Sequence, residues 1–259
     1  MHRPLLAALV LLAAPAVAQE EKQAEKPPLR TRVALGPQLV PSYPGADSYS
    51  LRPFVDVSRA RGDDDFAFEA PDESFGFPLI GGAKFQFGPS LGFEGKRDAS
   101  DVGAAVPKVG FTFEAGAFAQ AQLLPAIRLR VEGRKGFGGH KGLIGSVGAD
   151  YVARDRDRWL FSIGPRLTLA DARYHRAYFG VTRATAAAAG LAAFRPDGGV
   201  QAVGATAGVL RQLSPRWGIS GYAKYDRLVA DAGRSPLVRA FGSRDQFSGG
   251  IALSYTFGR

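Results

Sequence analysis

Large apolar side chains alternate with small or polar side chains over the last strand-like segment of the chain. One parity holds Phe247, Ile251, Leu253, Tyr255 and Phe257, and the other holds Ser248, Ala252, Ser254 and Thr256. A period of two predicts a β-strand with one apolar and one polar face. An amphipathic, aromatic-ended strand at the C-terminus is typical of transmembrane barrels, in which the last strand pairs with the first and removes the open edge.

The same alternation predicts twelve strands joined in turn by tight and long connections. They are 31–40, 49–59, 65–70, 76–86, 88–96, 106–122, 126–135, 142–154, 158–170, 200–212, 217–228 and 246–257. The mature chain contains no run of eighteen apolar residues, which excludes a spanning helix. The pattern therefore predicts an all-β fold over 31–259, a transmembrane antiparallel up-and-down β-barrel of about twelve strands. Short turns face the periplasm and longer loops, such as 170–199 and 229–245, face outward.

Both tryptophans of the chain follow a tight turn and an arginine, in Arg158-Trp159 and Arg216-Trp217. A tryptophan ring is favoured at the membrane interface, where the ring lies in acyl chains and its N–H reaches water. We therefore predict that Trp159, Trp217, Tyr255 and Phe257 anchor the barrel at an interface, and that the barrel as a whole contacts outer-membrane lipid and lipopolysaccharide.

The N-terminus has the features of an export signal. Arg3 precedes an apolar run from Leu5 to Ala14, and Ala16-Val17-Ala18 is a small-residue cleavage site. We expect residues 1–18 to be a signal peptide and residues 19–30, rich in Glu, Lys and Gln, to be a flexible periplasmic tail. The chain has no cysteine, which excludes a disulfide framework and an acylated cysteine.

The inward parity of the predicted barrel carries charges of both signs. The candidate lumen-lining residues are Arg52, Glu114, Arg128, Arg130, Glu132, Arg134, Asp150, Arg166 and Lys224. Two arrangements are compatible with them. The arginines can line a narrow aqueous lumen that favours anions, or they can pair with the acids across the interior and close it.

The residues that carry chemistry are few. The formal net charge is +9, but the arginines are scattered along alternating strands, so we expect no nucleic-acid partner. A hydrolase site would combine His140 with Ser146 and Asp150, which are nearby in sequence. However, Ser146 and Asp150 lie four residues apart on one strand, about 13 Å, which is too far for the two side chains to act together. We expect no catalytic residue, cofactor or metal site, and interpret 63–65, an Asp-Asp-Asp run, as a solvated periplasmic turn.

Several short motifs, in their order and spacing from Val33 to Phe257, resemble the MipA/OmpV family of outer-membrane proteins. The matching segments are 41–49 with Pro53, 138–142, 148–151, 164–166 with Asp171, Tyr174 and 178–181, 235–238, and 242–247. Taken one by one, the segments also have structural interpretations. Tyr43-Pro44-Gly45 has the composition of a turn, and Tyr174, Tyr178 and Phe179 are suited to fold a long loop over the barrel mouth.

The resemblance implies a location in the outer membrane and a non-enzymatic role in envelope organisation. Members of the family are described as scaffolds that bring a periplasmic murein transglycosylase together with a murein synthase. A small solute or anion channel and a surface adhesin are the alternative functions. The resemblance supplies no catalytic residues.

Overall fold

The computed structural model describes residues 27–82 and 84–258. The predicted signal peptide, 1–18, and residues 19–26 of the predicted tail lie outside the described residues. The first strand begins at Leu29, so the barrel starts two residues before the predicted position.

Twelve strands and five short helices make up the described fold. The strands are β1 (Leu29–Pro41), β2 (Tyr49–Arg61), β3 (Phe75–Gly76), β4 (Ile80–Gly81), β5 (Phe85–Glu94), β6 (Thr112–Leu124), β7 (Ile127–Gly138), β8 (Leu143–Asp155), β9 (Trp159–Ala170), β10 (Gly199–Gln212), β11 (Trp217–Leu228) and β12 (Asp245–Phe257). The helices are α1 (Ala99–Val102), α2 (Ala172–Tyr178), α3 (Arg183–Ala189), α4 (Ala230–Arg234) and α5 (Pro236–Phe241), and all five lie in the longer connections.

The strands form one curled antiparallel sheet, which confirms the predicted all-β barrel class. Its order is β2-β1-β12-β11-β10-β9-β8-β7-β6-β5-β3, with β4 also paired to β5. The first and last strands pair, with Val33 opposite Tyr255 and Leu35 opposite Leu253. The curl brings the two sides of the sheet together at the loop end, where Arg52 Nη1 of β2 lies 4.0 Å from Glu94 Oε1 of β5.

The alternation of the sequence becomes two faces of the sheet. In β12, Phe247, Ile251 and Leu253 are exposed on the outer face, whereas Ser254 and Thr256 are buried. The other long strands repeat this arrangement, so an apolar band surrounds the barrel and polar groups face the interior. No helix in the part of the chain that the structure describes is both long and apolar enough to span a membrane.

The predicted strands between 62 and 96 are partly wrong. Residues 65–70 form no strand, and the segment predicted as 76–86 is divided into β3, β4 and the turn before β5. Phe75 pairs with Leu91, so β3 and β4 run antiparallel to β5, in the same direction as β2. The connection from β2 to β3 must therefore return through the height of the barrel. We call this connection, residues 62–74, the inner segment.

Local sequence explains why the inner segment is not a wall strand. Its alternating part, from Phe66 to Ala70, has five residues, and a strand needs about 9–11 residues to cross the membrane. Pro71 has no backbone N–H to donate to a neighbouring strand. Asp72 and Glu73 follow it directly, and two consecutive acids would place one carboxylate on the lipid-facing side of a strand. Phe66 and Ala70 are buried instead. The sheet thus has two end strands, β2 and β3, with a gap between them.

Candidate functional site

The barrel interior holds a network of ion pairs centred on the inner segment. Asp72 is the meeting point of three wall strands. Its carboxylate accepts hydrogen bonds from Arg166 Nε of β9 at 3.0 Å and from Thr206 Oγ1 of β10 at 2.9 Å, and Lys224 Nζ of β11 lies 3.2 Å away. Lys224 also pairs with Asp226 Oδ2 at 3.1 Å. These contacts fix the inner segment to one side of the barrel.

Glu73 makes the corresponding contacts with the other side. Arg128 of β7 binds the Glu73 carboxylate and also donates to Asp150 Oδ2 of β8 at 2.8 Å. Arg166 donates to Asp150 Oδ1 at 2.7 Å, so Asp150 joins the Glu73 and Asp72 clusters. Arg130 Nε lies 3.8 Å from Glu73 Oε2. The side chains of Arg128 and Asp150 are almost fully buried, so every charge in this cluster needs its partner.

A third group of charges lies toward the loop end of β6 and β7. Arg134 Nε donates to Glu114 Oε2 at 2.8 Å, and Arg134 also pairs with Glu132. Arg130 Nη2 donates to Glu132 Oε2 at 2.8 Å. The guanidinium of Arg130 lies 3.9 Å from the centroid of the Phe118 ring, which is a cation–π contact. The third group therefore continues the network to the barrel mouth.

The nine sequence-predicted lumen residues all take part in ion pairs, and eight of them lie in the connected network. Arg52 is separate and lies beside Glu94 at the loop end of the gap. Asp72 and Glu73 were missed, because they fall in the connection between the predicted strands 65–70 and 76–86. A signal for them existed: five of the nine predicted inward residues were arginines, and an excess of buried arginine requires acids from another segment.

His140 connects the ion-pair network to the outer loops. Its Nδ1 accepts a hydrogen bond from the Gly142 N–H at 3.0 Å, so Nε2 carries the proton that is donated to Glu114 Oε1 at 2.9 Å. The ring sits over Gly136, where an added Cβ would lie 2.2 Å from the imidazole, so only glycine fits there. On its other side the ring contacts Tyr174, with centroids 4.7 Å apart.

The outer loops close the barrel mouth with a hydrophobic core of their own, which we call the loop cap. Most of its buried side chains come from the connections 42–48, 95–111, 171–198 and 229–244, and Ala170, Ala202 and Leu228 add the loop ends of three strands. The largest members are Tyr43, Tyr174, Tyr178, Phe179, Leu228 and Leu237. Burial raises the pKa of the Tyr174 and Tyr178 phenols, so both rings stay neutral in the cap. The long loop therefore packs against its neighbours, as its aromatic residues predicted.

Arg97 ties three of these connections together. Its side chain is buried, and it donates to the carbonyl oxygens of Tyr178 at 3.1 Å and Pro107 at 2.8 Å. The guanidinium also lies 6.0 Å from the centroid of the Tyr43 ring. Burial lowers the pKa of Arg97, and carbonyl and aromatic groups replace the acid that a buried cation normally has.

Turn chemistry sets the first connection, as predicted. The Ala46 N–H donates to the Tyr43 carbonyl at 3.0 Å, and Gly45 has a φ of 93°, which is the geometry of a turn with Pro44 at its second position. Gln246 of β12 holds this turn by accepting from the Gly45 N–H at 2.9 Å and donating to the Ala46 carbonyl at 2.9 Å.

The four candidate interface anchors lie at the strand ends beside the tight turns. Trp159 and Trp217 begin β9 and β11, and Tyr255 and Phe257 end β12. Trp217 contacts Tyr255 edge-on with ring centroids 4.9 Å apart, and Tyr255 contacts Phe257 at 4.8 Å. The indoles of Trp159 and Trp217 are partly exposed, 37% and 46%. The four rings therefore stand at one rim of the barrel.

The sequence pattern of one protein family matches almost all of the described barrel. The family is described as MltA-interacting protein MipA, and the match covers residues 33–257. The chain belongs to the MipA family. This membership agrees with the resemblance of the motifs, several of which contribute residues to the loop cap, and together with the barrel it confirms the predicted location in the outer membrane.

Other comparisons show only a general likeness. A search of curated proteins returned no match to this MipA-family chain. Solved structures similar to it include the NanC porin, with 11% identity, 87% of this chain and 98% of that chain covered, and a TM-score of 0.40. OmpT of Vibrio cholerae has 7% identity, 88% and 96% coverage and a TM-score of 0.36. Neisserial surface protein A has 9% identity, 89% and 97% coverage and a TM-score of 0.27. These scores support no inference about function.

Proposed function

We propose that this protein is a non-enzymatic scaffold of the outer membrane that holds a periplasmic murein transglycosylase, and with it a murein synthase, at the inner rim of the barrel. The observation that carries the proposal is the family match, because the name of that family describes its name-giving member as a protein that interacts with MltA.

The interior supports a scaffold better than a channel. The inner segment is bound to four wall strands through Asp72 and Glu73, and the loop cap covers the outer mouth. Arg128, Arg130 and Arg166, which would favour anions in an open lumen, are engaged by acids. A barrel with its axial path blocked in this way is suited to contact a protein partner through its rim.

The way His140 is held supports a role without catalysis. Both ring nitrogens have partners within the fold, Glu114 and the Gly142 N–H, and the ring is buried beneath Tyr174. A general base needs reach to a substrate proton. His140 therefore has a structural role at the junction between the interior and the loop cap.

The periplasmic rim is narrow, so the partner needs more than the turns. The tight connections 125–126, 156–158 and 213–216 offer two to four residues each, whereas a standard interface covers about 800 Å² on each partner. The predicted tail before Pro27 is the longest periplasmic stretch that the sequence predicts. Its acids Glu20, Glu21 and Glu25 suit a basic groove, and the segment can order on binding.

The test is a crosslinked pull-down of the protein from its own envelopes, with transglycosylase detected by mass spectrometry. Deleting residues 20–26 should reduce its recovery and leave assembly intact, because the deletion spares the Pro28 carbonyl that accepts from the Gly62 N–H at 2.9 Å. A variant with the same seven residues in scrambled order controls for tail length. Absence of any murein enzyme from the wild-type pull-down contradicts the scaffold.

A further inference from the structure

The interior contains a cavity of about 580 Å³ beside the inner segment. Its wall is mostly apolar, and its largest apolar side chains are Phe54, Phe66, Phe68, Phe75 and Phe77, with Leu160 and Leu210 beside them. The cavity reaches from β2 across the interior to β9, β10 and β11. Its volume is in the range of pockets that hold small organic ligands.

The cavity passes through the barrel wall. Its lining includes consecutive residues of β2 from Phe54 to Arg59, among them inward residues such as Asp56 and outward residues such as Val57. Unlike β10, which is paired along both edges, β2 has one edge that pairs with no described strand, so a cavity that contacts residues of both its faces can extend around that edge. Residues 75–78 line the opposite side. The cavity therefore opens laterally in the gap between β2 and β3.

The composition of the two edges agrees with an open gap. Along its other edge, β2 pairs with β1 over its whole length, and in the described part of the sheet the gap edge of β2 is paired with no strand. Pro53 lies in β2, and Pro78 lies between β3 and β4. Proline is confined to strand edges because it has no N–H to pair, and here it reduces the number of unpaired donors.

Two carboxylates that line this cavity form no salt bridge with any described residue. Glu69 makes no hydrogen bond and no ion pair with any described residue, and its side chain is exposed to the cavity. Asp56 accepts only the Ser58 hydroxyl, at 3.1 Å. The other acids of the described interior each have a basic partner: Asp72, Glu73, Glu94, Glu114, Glu132, Asp150 and Asp226. Asp56 and Glu69 are the exceptions.

We propose that this cavity is a binding site for a cationic amphiphile that enters from the bilayer through the gap between β2 and β3. The apolar chain lies against the phenylalanine wall, and the amine head pairs with Glu69 and Asp56. A cation in this place neutralises two neighbouring carboxylates. Arg32, Arg59, Arg154 and Arg156 also line the cavity, but they lie at its end beside the tight turns, where Arg154 already pairs with Asp157. The amine head is therefore placed away from them, at Glu69 and Asp56. The site is independent of any scaffold role at the rim.

The experiment uses the full barrel in nanodiscs of dioleoylphosphatidylcholine and two photoreactive probes, a diazirine-bearing dodecylamine and the matching dodecanoic acid. Adducts are mapped by mass spectrometry. We expect the amine to label residues 54–59, 66–70 and 75–78, in competition with unlabelled dodecylamine. We expect the acid to label the outer lipid face without enrichment at these segments.

Glu69→Gln is the decisive variant, since Glu69 has no contacts that folding would lose. It should reduce amine labelling of the cavity about tenfold, the scale of one charge-assisted hydrogen bond. Asp63→Asn, which removes an exposed acid from the nearby turn, should leave labelling unchanged. Unchanged labelling in Glu69→Gln, or equal enrichment of the acid probe in the cavity, overturns the proposal.

Discussion

The ion pairs of Asp72 give a direct measure of how firmly the inner segment is held. Asp72 and Arg166 each keep only 7% of their side-chain surface exposed, and Arg166 binds the carboxylate through Nε at 3.0 Å and Nη2 at 3.1 Å. Removing one member of a buried pair costs about 3–5 kcal/mol, because the other charge is left without a partner. Asp72→Asn keeps the shape and removes the charge, so we expect it to lower the free energy of unfolding by about 3 kcal/mol.

The assay is equilibrium unfolding in urea with the protein in lipid vesicles, followed by the fluorescence of Trp159 and Trp217. Asp63→Asn is the control, because Asp63 is exposed at the start of the inner segment, and it should change stability by less than about 0.5 kcal/mol. A cycle with Arg166→Gln tests the pair itself, and the double variant should lose clearly less than the sum of the single losses. Additive losses, or a value for Asp72→Asn equal to that of the control, refute the anchoring role.

Three further outcomes follow from the same structure. The wild-type protein should show little steady conductance in a planar bilayer. The double variant Asp72→Asn with Glu73→Gln should show open events that favour anions, because Arg128 and Arg166 then lose acid partners. A double variant without conductance would show that other contacts close the lumen. Cysteines placed at Arg156 and Arg216 should react with an impermeant maleimide only after the outer membrane is opened, and labelling in intact cells would reverse the orientation. Arg97→Ala should make the loop cap sensitive to protease on intact cells, since three connections lose their common contact. Arg97→Lys should be intermediate, because its point charge reaches fewer carbonyl oxygens. Resistance of Arg97→Ala equal to that of the wild type would show that Arg97 does not stabilise the loop cap.

Local alternation determined the class of this fold. Outside β3, β4 and β5, the predicted strands coincide with observed ones within a few residues at most ends, and the closing pair of β1 with β12 follows from the aromatic-ended last strand. The period of two is a property of the extended backbone, whose side chains point alternately to the two faces of a sheet. A bilayer requires the outer face to be apolar, and a helix with only every second residue apolar would expose polar groups to lipid. The same rule put the charged residues in the interior and Trp159 and Trp217 at one rim.

Tertiary structure alone decided the path of residues 62–82 and which charged side chains pair in the barrel interior. The short alternation from Phe66 to Ala70 looked like a strand, yet Asp72 and Glu73 gain more from four basic residues inside the barrel than from a place in the wall. Sequence lists charges but not which of them meet, because ion pairs between β7, β9, β11 and the inner segment join residues far apart in the chain. The gap beside β2, and the two unpaired carboxylates within it, exist only because the inner segment left the wall.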